Sequence, residues 1–262
     1  MKNVVITGST RGVGVCMAKE FLKAGCNVIL SSRSETLSAA IKAELTGFEN
    51  KILYVPCNVR QKADVEKLWK QASAKWGRVD IWINNAGQNC TYEFCYDTET
   101  DYVDAVIDTN IKGMIYGSQV AAKNMLVQGG GAIWNMEGLG SNNMIQSKTI
   151  LYGTTKHALT YFSKGLAKEL EGTSVTSGRL SPGMMLTDFI TRTPDGAKPA
   201  IETNKSFQKI FNLLADKPET VAEFFVPRIL KNTKNNAQIM WLTNAKTMRR
   251  FITAPFSRRK LI

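Results

Sequence analysis

Apolar and polar residues alternate along the chain in two patterns. Short apolar runs, typical of buried strands, are separated by longer segments in which apolar positions recur at helical spacing. The runs predict strands at residues 3–7, 27–31, 51–57, 80–83, 132–136, 175–181 and 238–243. The longer segments predict a helix that ends near residue 24 and further helices over residues 35–45, 62–76, 99–128, 150–171 and 218–231. Strands that alternate with helices in this way form parallel βαβ units.

The order of the predicted elements indicates an α/β fold, a doubly wound Rossmann-type domain with a seven-stranded parallel sheet. A chain of 262 residues is long enough for one domain of this kind. We expect a single domain over residues 1–245, with a long insertion at about 188–215, followed by a basic tail over residues 246–262. In this architecture a ligand binds at the carboxyl ends of the strands.

Composition narrows the class of protein. Apolar residues make up 44% of the chain and charged residues 21%, as in globular proteins, and no apolar run reaches membrane-spanning length. Because Lys2 and Asn3 lead directly into the first strand, we expect no signal peptide and a cytoplasmic location. The five cysteines have no metal-ligand spacing and are interpreted as free thiols, and the single histidine, His157, excludes a site with several histidine ligands. We therefore expect no metal.

A net charge of +12 is compatible with binding to nucleic acid, a membrane surface or an anionic ligand. The sequence has no recognisable nucleic-acid module, and a polyphosphate cofactor would account for part of the charge. The tail interleaves Phe251, Ile252 and Phe256 with the basic residues Lys246, Arg249, Arg250, Arg258, Arg259 and Lys260. Such a tail either makes peripheral contact with an anionic membrane or, more often, forms a solvated terminal helix or packs on a neighbouring subunit.

A glycine-rich segment connects the first strand to the first helix. Its glycines, at positions 8, 12 and 14, permit a tight turn and let the backbone approach a pyrophosphate at the helix N-terminus. The alternative is an ordinary glycine-rich turn, but the strand before it and the amphipathic helix after it favour dinucleotide binding. The predicted cofactor contacts in this segment are Gly8, Ser9, Thr10, Arg11, Gly12, Val13 and Gly14.

The end of the second strand indicates which nicotinamide cofactor is used. An NAD site usually has an acidic residue here, which binds the ribose 2′-hydroxyl group. This chain has no acid at that point and has Arg33 instead. Arg33 and Arg11 suit the 2′-phosphate group of NADP(H), because a guanidinium group binds phosphate through two parallel hydrogen bonds. We therefore predict NADP(H), although either arginine alone is also compatible with a solvated surface charge.

Tyr152 and Lys156 lie four residues apart in a predicted helix, and therefore on one face of it. A lysine ammonium near a phenol favours the phenolate and lowers the tyrosine pKa. A tyrosine tuned in this way can protonate a developing alkoxide or accept a proton from an alcohol. The pair occurs by chance on many solvated helices, so its interpretation depends on the glycine-rich segment and on Asn110.

Together these segments resemble the short-chain dehydrogenase/reductase family over residues 1 to about 245. The resemblance implies that Tyr152 is the proton donor, that Lys156 also holds the cofactor ribose, and that Asn110 interrupts its helix and holds a water molecule beside Lys156. It implies that Thr187 binds the nicotinamide carboxamide. Asn58 stands where the family usually has an aspartate near the adenine amino group. The further cofactor contacts that the family's pattern implies are Val59, Asn85, Ala86, Gly87, Pro182 and Gly183.

The chain departs from the family's pattern after the fifth strand. The family has a serine pair there, and the second serine polarises the substrate carbonyl. Gly138 stands at the position of that serine, and Ser141 is the nearest hydroxyl before the tyrosine. A glycine-rich bulge over residues 138–140 would bring Ser141 into place, so we take Ser141 as catalytic. Asn142 and Asn143 are rival donors.

This region also resembles one branch of the family, the chlorophyll b reductases, over about residues 130–232. That branch reduces a formyl group on a large, flat, apolar tetrapyrrole to a hydroxymethyl group. The resemblance implies NADPH-dependent reduction of an aldehyde or ketone on a bulky, apolar, ring-containing substrate. The alternatives are a steroid or polyketide substrate for the same chemistry, or a non-catalytic NADPH-binding sensor. The segments that carry the resemblance are residues 135–141, 152–156, 180–184, 214–219 and 226–227.

Two further expectations concern the insertion and the oligomer. The family often has a lid over an apolar substrate at the position of the insertion, and long functional loops often act in this way, although core packing is the simpler explanation for an apolar stripe. The helices over 99–128 and 150–171 form dimer faces in many relatives, so the resemblance implies a homodimer or homotetramer. The stripe in the insertion consists of Phe207, Ile210, Phe211 and Leu214.

Overall fold

The computed structural model describes residues 1–256 and 259–262, in which helices cover both faces of one sheet. The strands are β1 (Asn3–Ile6), β2 (Asn27–Ser32), β3 (Ile52–Pro56), β4 (Ile81–Asn84), β5 (Gly131–Met136), β6 (Val175–Ser181) and β7 (Gln238–Met240). The longer helices are α1 (Gly12–Lys23), α3 (Lys62–Trp76), α4 (Thr100–Ile107), α5 (Gly113–Val127), α6 (Ile150–Glu169), α9 (Lys205–Leu214), α10 (Pro218–Lys231) and α11 (Asn244–Thr253). The shorter ones are α2 (Ala39–Glu44), α7 (Asp188–Thr191) and α8 (Ala200–Thr203). None of the helices in the described ranges is long and apolar enough to cross a bilayer.

The strand order is β3-β2-β1-β4-β5-β6-β7, and every neighbouring pair is parallel. This arrangement confirms the predicted doubly wound fold. The order of the strands reverses between β1 and β4, and a ligand crevice opens at the carboxyl ends of the strands beside such a switch point. The turn after β1 is attached to the end of β4 there, because the Thr7 amide donates to the Ile83 carbonyl over 3.0 Å.

The sheet is buried on both faces. On one face α1 and α10 supply large apolar side chains such as Phe21 and Phe225, and on the other α3 and α5 supply Leu68 and Met125. Burying one such side chain stabilises the fold by about 1.5–3 kcal/mol. The sheet is therefore a rigid platform, and the loops at its carboxyl edge carry the polar chemistry.

Some predicted elements have different bounds in the structure. The helix predicted at 35–45 is shorter, because Ser38 caps its N-terminus by accepting a hydrogen bond from the Ile41 amide. The helical region predicted over 99–128 is divided by a π-helical turn at Asp108–Lys112, which contains Asn110. The last strand ends at Met240 and not at residue 243, because the Thr243 side chain instead caps α11.

The tail helix α11 directs one basic residue inward and exposes three apolar residues. Arg250 points inward and donates to both carboxylate oxygens of Asp216, over 2.8 and 3.0 Å. Met248, Phe251 and Ile252 are exposed on the outer side. Of the predicted basic residues in the tail, Arg258 lies outside the described residues, whereas Arg259 also binds Asp216.

Candidate active site

The glycine-rich turn between β1 and α1 is packed tightly against the segment that follows β4. Gly8 has a φ of +62°, and a Cβ atom on it would lie 2.8 Å from Ala86 Cα. A Cβ atom on Gly14 would lie 2.6 Å from both Asn85 Nδ2 and Gly8 O. Only glycine fits at these two positions without displacing backbone. The first turn of α1 directs backbone N–H groups that have no intrahelical acceptor toward the crevice, as pyrophosphate binding requires.

The neighbouring side chains fix the shape of this turn. Asn85 Nδ2 donates to Thr7 O and Gly8 O, and the Thr7 hydroxyl accepts hydrogen bonds from the amides of Asn85 and Ala86. Ser9 is fully buried, and both its amide and its hydroxyl bind the backbone of Ser31 on β2. Ser9 therefore supports the turn with these groups, while Thr10 and Gly12 are partly exposed and Val13 is buried in the core.

The predicted 2′-phosphate ligands lie at the edge of the crevice. Arg33 follows β2, Arg11 occupies the N-cap position of α1, and both residues are exposed. Asn58 and Val59 follow β3, and the Asn58 side chain oxygen accepts a hydrogen bond from the amide of Arg60. The Asn58 oxygen can accept a second hydrogen bond, so its contact with the adenine amino group stays a prediction.

Tyr152 and Lys156 are buried on the same face of α6. Lys156 Nζ lies 5.7 Å from the centroid of the Tyr152 ring and donates to the Met136 carbonyl at the end of β5 over 2.9 Å. Gly87 links this pair to the cofactor turn, because a Cβ atom on it would lie 3.9 Å from Lys156 Nζ and 3.5 Å from Asn110 Oδ1. The structure thus brings the predicted Tyr–Lys pair together with the predicted cofactor segment.

The predicted lowering of the tyrosine pKa is wrong for this structure. Burial raises the pKa of Tyr152, and the nearby Cys90 thiol acts in the same direction. Burial also lowers the pKa of Lys156 to about 8, while Glu137 acts in the opposite direction. Desolvation outweighs the effect of the cation, because the Lys156 ammonium binds a backbone carbonyl and not the phenol. Tyr152 is therefore protonated at neutral pH, which is the form that a proton donor needs.

Asn110 lies in the π-helical turn between α4 and α5 and is 1% exposed. Its Oδ1 accepts from the Gln88 amide over 2.8 Å, and its Nδ2 donates to Gln88 O and to Thr155 Oγ1 on α6. π-Helical turns recur at functional sites. The predicted interruption of the helix at Asn110 is therefore present, and the side chain joins three segments around Lys156.

The glycine at the position of the family serine, Gly138, lies against Tyr152. A Cβ atom on Gly138 would overlap the Tyr152 hydroxyl group. Ser141 lies in the bulge beyond it, where its hydroxyl accepts from the Gly138 amide and donates to the Lys156 carbonyl, each over 3.2 Å. Both of these partners are backbone groups, so Ser141 reaches a substrate carbonyl only if its O–H bond rotates. The rival donors Asn142 and Asn143 are exposed.

The segment after β6 returns to the cofactor turn. Gly183 has a φ of +70° and follows Pro182, and Thr187 Cγ2 would lie 3.6 Å from a Cβ atom on Gly12. Thr187 is therefore next to the glycine-rich turn, and its contact with the nicotinamide carboxamide stays a prediction.

The insertion contributes a residue that the sequence reasoning missed. The Phe189 ring meets the Tyr152 ring edge-on, with the centroids 5.1 Å apart, and the Phe189 carbonyl accepts from Asn89 Nδ2 over 2.8 Å. In the sequence, only the position of Phe189 two residues after Thr187 could have indicated that it packs against Tyr152. Of the predicted apolar stripe, Phe211 is fully buried within the insertion, whereas Ile210 is 44% exposed.

Comparison with known proteins agrees with this geometry. The model of the short chain dehydrogenase family matches residues 2–197. Chlorophyll(ide) b reductase NOL of Oryza sativa subsp. japonica is 36% identical over 262 residues, which cover 96% of this chain and 74% of that protein. The probable chlorophyll(ide) b reductase NYC1 of the same plant is 33% identical and matches 97% of this chain, which spans about half (52%) of its length.

Among solved structures, NADP-bound ElxO superimposes with a TM-score of 0.80 at 25% identity, covering 94% of this chain and 99% of that one. These comparisons confirm the predicted family, its chlorophyll b reductase branch and the enzyme class, an oxidoreductase, and they support NADP(H) as the cofactor.

Proposed function

Because the chain belongs to the short chain dehydrogenase family, we propose that it is an NADPH-dependent reductase of an aldehyde or ketone on a bulky, apolar, ring-containing substrate. One observation carries this proposal: the buried Tyr152–Lys156 pair lies next to the glycine cradle, the turn over residues 8–14 that packs against Ala86, and Gly87 connects that turn to Lys156. The cradle fits a dinucleotide, since side chains are excluded at Gly8 and Gly14.

NADPH, when bound, supplies the hydride that attacks the carbonyl carbon. Tyr152 donates its phenolic proton to the carbonyl oxygen, and its raised pKa keeps it in the acid form. Lys156 would hold the cofactor ribose, and its positive charge would stabilise the phenolate that remains after proton transfer. Asn110 fixes the turn behind Lys156, and Ser141 polarises the carbonyl after its O–H bond rotates away from the Lys156 carbonyl.

The apolar surroundings of Tyr152 support an apolar substrate. Cys90, Leu139, Leu151 and Phe189 pack around the tyrosine ring. The two plant relatives are named for reduction of chlorophyll(ide) b, a large ring system that carries a formyl group. A tetrapyrrole aldehyde is therefore our first choice of substrate, and steroid or polyketide carbonyl compounds are the second.

The experiment is a screen of aldehydes and ketones with ring systems of increasing size, followed by NADPH absorbance. We expect turnover to rise with ring size and to disappear in Tyr152→Phe. Tyr161→Phe is the matched control, because Tyr161 lies on the same helix but is 79% exposed. A protein that binds NADPH and reduces nothing in the screen would instead be the sensor, the alternative that the missing serine at position 138 leaves open.

We also propose a homo-oligomer that uses the outer faces of α5 and α6. Large apolar side chains are exposed on both helices, including Val127 at 86% on α5 and Ile150 at 40% on α6. Exposed apolar side chains are typical of a protein–protein interface when they form one patch, which is what we propose for these helices. Light scattering after gel filtration gives the mass of the assembly, and a monomer of 29.0 kDa would contradict the proposal.

A further inference from the structure

A buried carboxylate lies next to the catalytic lysine and has no role in the mechanism above. Glu137 directly follows β5, and its side chain is 1% exposed. The preceding residue, Met136, is the one whose carbonyl binds Lys156 Nζ. The ammonium of Lys156 and the carboxylate of Glu137 are therefore held around the same strand end.

Donors from three elements hold this carboxylate in place. Arg179 Nη1 on β6 lies 3.4 Å from Glu137 Oε1, and Gln238 Nε2 on β7 donates to Oε2 over 2.7 Å. The Thr160 hydroxyl on α6 lies 3.4 Å from Oε1 and 3.1 Å from the carbonyl of Lys156, one turn earlier. Glu137 is thus held in one position by donors from three elements and is not a mobile surface group.

A negative charge near Lys156 opposes the effect of burial on its ammonium group. Burial lowers the pKa of Lys156 to about 8, and Glu137 is the charged side chain that opposes this effect. Tyr152, on the same helix, is neutral at this pH, and Arg179 lies against Glu137 with the opposite sign. His157 follows Lys156, and its Nδ1 lies 3.3 Å from Gly140 O.

We propose that Glu137 is a positioning residue for Lys156, whose fixed negative charge keeps the buried ammonium protonated at the pH at which it holds the cofactor. That the Lys156 ammonium holds a cofactor rests on the proposed function. The effect of Glu137 on the titration of Lys156 does not. Glu137 stands where the family has the first serine of its pair, so the chain replaces a neutral hydroxyl there with a charge.

The test is the titration of Lys156 in the Glu137→Gln variant. Glutamine keeps the shape of the side chain but removes its charge. The Lys156 signal is followed by NMR in protein labelled with ¹³Cε-lysine and is assigned by its loss in Lys156→Arg. We expect the pKa of Lys156 to fall by about one unit, a tenfold change in proton affinity. We also expect the pH at which NADPH binding weakens to fall by the same amount, whereas loss of packing alone would weaken binding equally at every pH.

Two controls separate charge from structure. Glu169→Gln makes the same charge change at an exposed position on α6, the helix that carries Lys156. It should leave the Lys156 titration unchanged. Glu137→Asp keeps the charge and should restore most of the pKa.

Glu137→Gln leaves Arg179 as a buried, unpaired charge, which destabilises the fold. The double variant Glu137→Gln/Arg179→Met removes both charges and is measured beside it. A folded Glu137→Gln variant in which Lys156 titrates as in the unmodified protein, or a double variant in which Lys156 titrates as in Arg179→Met, would overturn the proposal. If no carbonyl compound is reduced but the pKa still falls, the proposed function fails and this inference stands.

Discussion

The backbone of Gly138 lies directly against the hydroxyl group of Tyr152, and a Cβ atom at position 138 would overlap that oxygen and would lie 3.2 Å from Lys156 Cγ. The glycine therefore does more than fail to supply the family's serine. It leaves the space that the Tyr152 hydroxyl group occupies. In this chain any side chain at position 138 would therefore displace that hydroxyl group.

We predict that Gly138→Ala lowers carbonyl reduction by about a hundredfold, because a displacement of a reacting group by about 1 Å has an effect of that size. The crowding should also lower the free energy of unfolding by about 1–3 kcal/mol. Turnover and chemical denaturation measure the two effects separately.

Gly165→Ala provides the control for this substitution. Gly165 is also on α6, but an added Cβ atom there meets nothing within 4 Å. Alanine in a helix should raise the free energy of unfolding by about 0.5–1 kcal/mol and leave turnover unchanged. If Gly138→Ala is as active as Gly165→Ala, the tyrosine hydroxyl is not held where the structure has it.

The second prediction concerns cofactor choice. Arg11 and Arg33 are exposed at the edge of the cradle, and no acid ends β2. NADPH should bind at least about tenfold more tightly than NADH, a difference of about 1.4 kcal/mol. Arg33→Asp should narrow or invert that difference, because a carboxylate repels the 2′-phosphate and accepts from a 2′-hydroxyl. Calorimetry with both cofactors gives the ratio, and Arg249→Asp on α11 is the matched charge control. Equal affinities in the unmodified protein would exclude the phosphate clamp.

The third prediction concerns the hydroxyl group in the bulge. Ser141→Ala should lower turnover by an amount equivalent to about 2.7–4 kcal/mol, as removal of one oxyanion donor does in other enzymes, with NADPH affinity nearly unchanged. Ser147→Ala, at an exposed position in the same loop, is the control and should have no effect. Steady-state kinetics and NADPH titration measure both variants. Full activity in Ser141→Ala would move the role to Asn142 or Asn143.

The sequence was sufficient for the parts of the molecule that depend on local pattern. Strand and helix periodicity predicted the seven-stranded sheet, and spacing along one helix predicted that Tyr152 and Lys156 share a face. The glycine positions predicted the cradle, because only a close approach of two backbones requires glycine at positions 8 and 14. Each of these patterns lies within a short segment of the chain, although the backbone that Gly8 meets, at Ala86, is distant in the sequence.

The remaining features depend on contacts between distant segments. The predicted direction of the shift in the Tyr152 pKa was wrong. Burial against Phe189 and Cys90 raises that pKa, and this burial depends on tertiary contacts that spacing along the chain does not encode. The orientation of Ser141 depends on which backbone groups its hydroxyl meets. Glu137 was visible as an acid at the end of an apolar strand, but its partner Arg179 lies 42 residues away.

The fourth prediction concerns the proton donor. Tyr152→Phe removes only the phenolic oxygen, so the packing against Phe189 and the fold should persist. NADPH should still bind, because Lys156 and the glycine-rich turn remain. Reduction should nearly vanish, because Tyr152 is the group that supplies the proton. Lys156→Ala should differ by weakening both NADPH binding and turnover. A Tyr152→Phe enzyme with near-normal turnover would end the assignment of the proton donor.

The pH dependence separates the two residues. In the free enzyme Tyr152 has a raised pKa, so its acid form persists through pH 9 and does not limit reduction there. Lys156 has a pKa lowered to about 8, so its positive charge is present below that pH and is lost as the pH rises through it. The kcat/KM for NADPH, which reports groups of the free enzyme, should therefore fall above about pH 8. Turnover at saturating NADPH should fall much less over the same range, since bound cofactor favours the charged lysine. A kcat/KM that stays constant from pH 7 to about pH 9.5 would show that the Lys156 charge does not contribute to NADPH binding. An equal fall in kcat/KM and in turnover would show that the titrating group acts in the chemical step.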